Sequence, residues 1–189
     1  MSGFAARLVE LSALLQSLQQ PKTVSAIDAA IELLIGAAQS QKSILVCGNG
    51  GSASDALHIS GELVGRFLIE RRALDVICLN ANVSVLTAWS NDYDYASVFA
   101  RQVQAHGRAG GVLWGISTSG NSANVVAAFE QARAMGMRTF ALTGEGGGRL
   151  AALADVLIDV PSRSTPRVQE MHLPIYHYIC EAVEQGIRS

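Results

Sequence analysis

Apolar residues return every three or four positions at the start of the chain, first as Phe4, Leu8, Leu11, Leu15 and Leu18, then as Val24, Ile27, Ile31, Leu34 and Ala38. That spacing predicts two helices, each with one buried face. Pro21 lies between the stripes and is expected to end the first helix, so residues 1–40 read as a helical hairpin. The first stripe is heptad-like and precedes the body of the fold, which predicts packing against another subunit as well as on its own domain.

After Lys42 the pattern changes. Short apolar runs, partly β-branched, predict buried strands at Ser43–Cys47, Ala73–Leu79, Gly111–Ile116, Arg138–Thr143 and Asp155–Val160. Between them lie helical patterns: Ala53 to Phe67, one through Leu86 and Trp89, Tyr95 to His106, one carrying Val125, Val126, Phe129 and Ala132, and a short one after Gly144–Gly148. A final helix is expected from Arg167 to Ile187, bent at Pro174, where one backbone hydrogen bond is missing. Strands alternating with helices predict an α/β fold: a parallel sheet covered on both faces, with ligands outside the carboxyl ends of its strands. With no linker and no clear repeat, residues 1–189 read as one domain.

Composition narrows the function classes. The chain has 189 residues, 49% hydrophobic and 16% charged, and a formal net charge of −2. No basic stripe suits it to nucleic acid. Cys47, Cys78 and Cys180 are scattered, without paired or zinc-type spacing, and read as buried thiols of a reducing compartment. Neither a signal-peptide pattern nor a membrane-length apolar run is present, so a soluble, cytoplasmic protein is expected, with no membrane partner.

The chemistry gathers at two turns. Gly115-Ile116-Ser117-Thr118-Ser119-Gly120-Asn121-Ser122 carries four hydroxyls between a strand and a helix start. Unsatisfied first-turn N–H groups and the positive end of the helix dipole make such a place an anion cradle. The alternative is that Ser119 to Ser122 merely cap the helix. A second flexible turn, Gly48-Asn49-Gly50-Gly51-Ser52-Ala53-Ser54, also follows a strand, without the spacing of a dinucleotide fingerprint. The helix after it carries His58 and Glu62 one turn apart, either a surface pair or part of a site. Asn91 and Asp92 are open to two uses, capping the next helix or binding sugar hydroxyls. On the last helix, ideal geometry aligns His177 with Glu170 better than with Gln169, and His172 and His177 are also compatible with histidines satisfied at an interface.

Gly48-Asn-Gly-Gly-Ser, His58-x-x-x-Glu62, Asn91-Asp92, Ser117-Thr-Ser-Gly-Asn-Ser122 and Gln169-Glu-x-His with His177 stand in the order found in the phosphoheptose isomerases. The sequence closely resembles that family, within the SIS group of phosphosugar-binding domains, over nearly its whole length. The resemblance implies a three-layer sandwich, a five-stranded parallel sheet with helices on both faces, and an N-terminal hairpin forming part of a homotetramer interface. It implies that Ser117, Thr118, Ser119 and Ser122 hold the phosphate of a sugar phosphate, while Asn49, Gly50, Gly51, Asn91 and Asp92 line the sugar. It further implies that His58, Glu62, Gln169 and His177 bind zinc, with Glu62 and Gln169 also touching substrate. The implied reaction converts sedoheptulose 7-phosphate to D-glycero-D-manno-heptose 7-phosphate through an enediol, with Glu62 and His177 as the acid/base pair, for nucleotide-activated heptose biosynthesis. Lipopolysaccharide, capsule and a small glycosylated metabolite all remain open as destinations. A carboxylate bound to a cation is a weaker base, so either Glu62 changes coordination during turnover or the ion is chiefly organisational. The competing reading is a non-catalytic SIS protein, such as a relative that associates with the replication initiator and lacks the catalytic Glu and His.

Overall fold

The computed structural model describes residues 3–187. Two helices, α1 (Phe4–Ser17) and α2 (Pro21–Gln39), stand where the two apolar stripes predict them. Pro21 opens α2 rather than closing α1: at a first helical position its missing N–H has no intrahelical acceptor to lose. The chain then lays down β1 (Ile44–Gly48), α3 (Gly51–Val64), β2 (Val76–Cys78), α4 (Val83–Asp92), α5 (Val98–His106) and β3 (Val112–Ser117). It continues through α6 (Ala123–Ala134), β4 (Arg138–Thr143), a 3-10 turn (Gly148–Ala152), β5 (Val156–Asp159) and α7 (Thr165–Gly186).

All five strands pair in parallel, in the order β2-β1-β3-β4-β5. Strand alternation splits the core in two. Ile44, Val46, Val112, Trp114, Ile116, Phe140 and Leu142 face α2, α3 and α7. Leu45, Cys47, Leu113 and Ala141 face α5 and α6 on the other side. Gly115 is required by that second layer, because a Cβ there would stand 2.3 Å from the Phe129 ring. Trp114 is fully buried and tilted against Phe140, with ring centroids 4.8 Å apart, so it is a core residue.

Three boundaries differ from the sequence pattern. Strand β2 is an edge strand of three residues, and the segment before it, 65–75, is a loop. Asn91 and Asp92 close α4 instead of interrupting it, and α5 starts at Val98 with the carboxylate of Asp94 receiving the N–H of Ser97 at 2.6 Å. Asp94 thus fixes the turn before α5, and neither Asn91 nor Asp92 caps that helix. Helix α7 starts at Thr165, two residues before the expected Arg167, and carries Pro174 inside it.

The strand order carries a functional consequence. The chain leaves β1 towards β2 on one side and β3 towards β4 on the other, so the turns after these adjacent strands diverge and leave a crevice between them. Those are the two turns singled out from the sequence.

Candidate active site

The crevice is a cavity of about 430 Å³. One wall is Asn49, Gly50, Gly51 and Ser52 from the turn after β1, and another is Ser117, Thr118 and Ser122 from the turn after β3. Thr165 and Gln169, at the start of α7, close the third side. The N-terminal ends of α3, α6 and α7 thus meet at one place, and no N-cap side chain closes any of them. Three positive dipole ends around a hydroxyl-lined hole favour an anion.

The hydroxyl turn is shaped by its own hydrogen bonds. Gly120 N–H donates to Ser117 C=O at 2.9 Å, and Gly120 sits at φ +65°, where a Cβ would lie 1.9 Å from Gly147 O. Ser122 holds the N-cap position of α6 without capping it; its hydroxyl instead lies 2.9 Å from that of Ser117. The simple capping role therefore fails for Ser122. Ser119 turns the other way, accepting the Asn121 N–H at 3.1 Å and lining a neighbouring cavity with Asn121, Glu145 and Arg163. Thr118 borders both cavities.

Asn49 is held by side chains the sequence pattern did not mark. Its amide exchanges two hydrogen bonds with Asn124, at 2.8 and 2.9 Å, and its oxygen also accepts from Tyr95 at 3.0 Å. Gly48 is clamped by Asn80, which accepts its N–H and donates to its C=O. Asn91 and Asp92 hydrogen bond to each other at 3.0 Å in an exposed position, and Asp92 borders a separate apolar depression with Trp89 and Arg101.

Further along α3, the fold brings together His58, Glu62 and His177. One ligand atom of each lies within 4.8 Å of the others, and His58 Nε2 is 3.0 Å from Glu62 Oε1. Helices α3 and α7 leave the cavity side by side in the same direction. Gly51 meets Gln169 near their starts, and His58 meets Tyr176 and His177 farther along. This pairing explains why Gln169, not Glu170, faces the site. Glu170 is exposed and ion-paired with Arg167 at 2.8 Å. Gly51 has no room for a side chain, since a Cβ would stand 2.6 Å from Gln169 Nε2.

The His177 ring is packed edge-on to His58, with centroids 5.0 Å apart, and against Phe67 at 5.7 Å. Burial and the neighbouring His58 lower its pKa, with Glu62 acting in the opposite sense, so the ring is held neutral at neutral pH. His177 Nε2 is buried and has no hydrogen-bond partner. An orphaned lone pair beside a second imidazole and a carboxylate is what a divalent cation would satisfy, and the donor types suit zinc. His172, by contrast, belongs to the core: it is fully buried, with its Nε2 3.1 Å from Thr143 C=O.

Thr165, Asn124, Tyr95 and Phe67 are site residues that periodicity did not reveal. Thr165 lies in the aperiodic Pro161–Pro166 stretch, yet its hydroxyl is 3.5 Å from that of Thr118.

Comparison with known proteins agrees with this geometry. The family model described as SIS domain matches residues 8–144. The phosphoheptose isomerase of Helicobacter pylori strain P12 is 48% identical over 182 residues, 96% of this chain and 92% of that protein. That of Citrifermentans bemidjiense is 51% identical over 162 residues, covering 86% of this chain and 84% of the relative. The solved structure of phosphoheptose isomerase GmhA from Neisseria gonorrhoeae superposes with a TM-score of 0.90 at 41% identity, covering 96% of both chains. A five-stranded parallel sheet with a hydroxyl-lined crevice at its switch point defines a phosphosugar-binding SIS protein. Within that class, the chain belongs to the phosphoheptose isomerase family.

Proposed function

We propose that the chain is an aldose–ketose isomerase interconverting sedoheptulose 7-phosphate and D-glycero-D-manno-heptose 7-phosphate, for nucleotide-activated heptose biosynthesis. The observation that carries this reading is the convergence of Glu62 and His177 from α3 and α7, two helices whose starts line the cavity of about 430 Å³. A phosphosugar-binding module without catalysis has no use for such a pair, and that alternative is not favoured.

The phosphate is assigned to Ser117, Thr118, Ser119 and Ser122, with Thr165 added from the cavity wall. Asn49, Gly50, Gly51 and Gln169 take the sugar chain. Asn91 and Asp92 are assigned to the sugar on the resemblance alone. Glu62 removes a proton from C1 of the ketose, and the carbonyl oxygen at C2 gains one, giving the enediol. Return of the Glu62 proton to C2 and loss of the O1 proton complete the aldose. The transfer of a proton between O1 and O2 is assigned to His177, the second member of the pair. His58, Glu62, Gln169 and His177 are the proposed zinc ligands. Bound there, the ion would polarise the carbonyl oxygen and stabilise negative charge on the enediol oxygens.

Assembly is proposed as a homotetramer. Helix α1 has no buried residue of its own and leaves Phe4 76% and Val9 56% exposed, apolar surface that a second copy would cover. We place the protein in the cytoplasm: its three cysteines are free and buried, and no helix among the described residues is long and apolar enough to cross a membrane.

Glu62→Gln tests the assignment of the base. It keeps the size and hydrogen bonding of the side chain and removes the basic oxygen. Turnover of sedoheptulose 7-phosphate should fall by about 10²–10⁴-fold with unchanged assembly in light scattering. Substantial retained turnover would reject Glu62 as the base.

A further inference from the structure

Behind the proposed metal ligands stand two side chains to which the isomerase reading gives no task. Tyr176 precedes His177 on α7, is 1% exposed, and places its hydroxyl 3.0 Å from His58 Nδ1. Asp55, three residues before His58 on α3, faces the same hydroxyl; the hydrogen bond between them counters the effect of burial on Asp55 and adds to it on Tyr176. Asp55 Oδ2 is buried and has no hydrogen-bond partner. A buried tyrosine and a half-buried carboxylate could both be replaced by apolar residues, so their joint presence asks for a reason.

Donor counting supplies the direction of each bond. An ionised carboxylate only accepts, so the phenol hydrogen goes to Asp55. The phenol oxygen is then free to accept, and His58 Nδ1 must carry the hydrogen it receives. A neutral imidazole protonated at Nδ1 has its lone pair on Nε2, the nitrogen that faces Glu62 Oε1 at 3.0 Å. Two electron pairs at that separation repel unless a positive charge lies between or beside them. A second imidazole nitrogen, His177 Nε2, is buried at the same point without a partner. A divalent cation satisfies all three at once.

We propose that Asp55 and Tyr176 are positioning residues that fix the tautomer and ring plane of His58, through Asp55···H–Oη of Tyr176···H–Nδ1 of His58, so that Nε2 is presented to a metal ion. This inference rests on the metal reading of the site given above. Partners of this kind, one bond removed from a metal, typically govern affinity by 10–100-fold. Neither residue touches the phosphate cavity.

The test is zinc affinity of the full-length protein, by competition with a chromophoric chelator, for the unsubstituted chain, Tyr176→Phe and Asp55→Asn. The expected result is zinc binding about 10–100-fold weaker in Tyr176→Phe. A smaller loss is expected in Asp55→Asn, whose amide oxygen still accepts. Inorganic phosphate binding should be unchanged in both, as should the thermal midpoint in chelator. Should Tyr176→Phe not fold, Asp55→Asn, whose side chain is only partly buried, carries the comparison alone. A lowered midpoint with zinc affinity intact would show a purely structural role and overturn the relay. Failure of the unsubstituted protein to bind zinc would instead overturn the metal reading, and the relay with it.

Discussion

His172 and His177 lie on one helix five residues apart and have opposite fates, decided by what surrounds each ring. His177 meets His58 and Glu62, whereas His172 is sealed in the core with its Nε2 against the Thr143 carbonyl. Burial pushes the His172 pKa down from 6.5 to about 4, against the pull of its bond to the Thr143 carbonyl. In the unfolded chain the ring titrates near its ordinary value, so the unfolded state binds more protons between these two values. The stability that the neutral ring contributes is therefore complete above about pH 6.5 and lost as pH falls towards 4, a difference of about 3 kcal/mol. Urea unfolding at pH 7 and pH 4.5, at fixed protein concentration, should show a smaller loss for His172→Gln than for the unsubstituted chain. Equal losses would mean that other groups set the acid limb. Only the family resemblance separated the two in the sequence, because a histidine's spacing says nothing about what covers it. The hydroxyls of the turn were legible as a set, but not their directions: Ser122 points to Ser117 and Ser119 to Asn121, choices made by the turn that Gly120 permits.

Pairing between elements decides what the helices present. The parallel run of α3 beside α7 puts Gln169 on Gly51 and His177 beside His58, and a helical wheel of α7 alone favours Glu170 because it lacks that neighbour. The strands were readable from their apolar runs. Edge strand β2 came out shorter than its run, since only one side of it is paired and the loop before it is held by other means. Those means are Glu184 of α7, 1% exposed in its side chain, whose carboxylate accepts the N–H groups of Phe67, Leu68 and Ile69 and pairs with Arg71 at 3.4 Å. Burial raises the pKa of Glu184, but the three backbone donors and Arg71 outweigh it and leave it below the ordinary carboxylate range. Phe67, so anchored, packs on His177 and connects this clamp to the site. Glu184→Gln should lower the unfolding free energy at pH 7 by about 2–3 kcal/mol, the cost of unpaired buried partners. With the folded pKa depressed, the clamp's contribution is present above the unfolded pKa and disappears as pH falls through the folded one. The gap between variant and unsubstituted protein should narrow accordingly in acid. No stability difference at pH 7 would contradict the clamp.

At the scale of the whole molecule, one topological fact organises the function. Because β1 and β3 are neighbours whose chains depart in opposite directions, three helix starts converge on one crevice, and His58, Glu62 and His177 meet farther along two of those helices. The α/β alternation, both glycine and serine turns and the one-turn spacing of residues 58 and 62 were legible in the chain, whereas the proximity of residue 177 to that pair came from the resemblance and then from the fold. No local pattern links positions so far apart in sequence. The exposed apolar face of α1 is the surface that the proposed homotetramer would cover. The most direct test of the account is conversion of sedoheptulose 7-phosphate by the purified protein, before and after verified metal removal, with the products followed by NMR. The account predicts heptose 7-phosphate from the metal-loaded protein, a large loss of activity with chelator, and recovery on adding zinc. Equal activity without metal would keep the isomerase and remove the ion from catalysis. No conversion by folded, zinc-loaded protein would contradict the central claim.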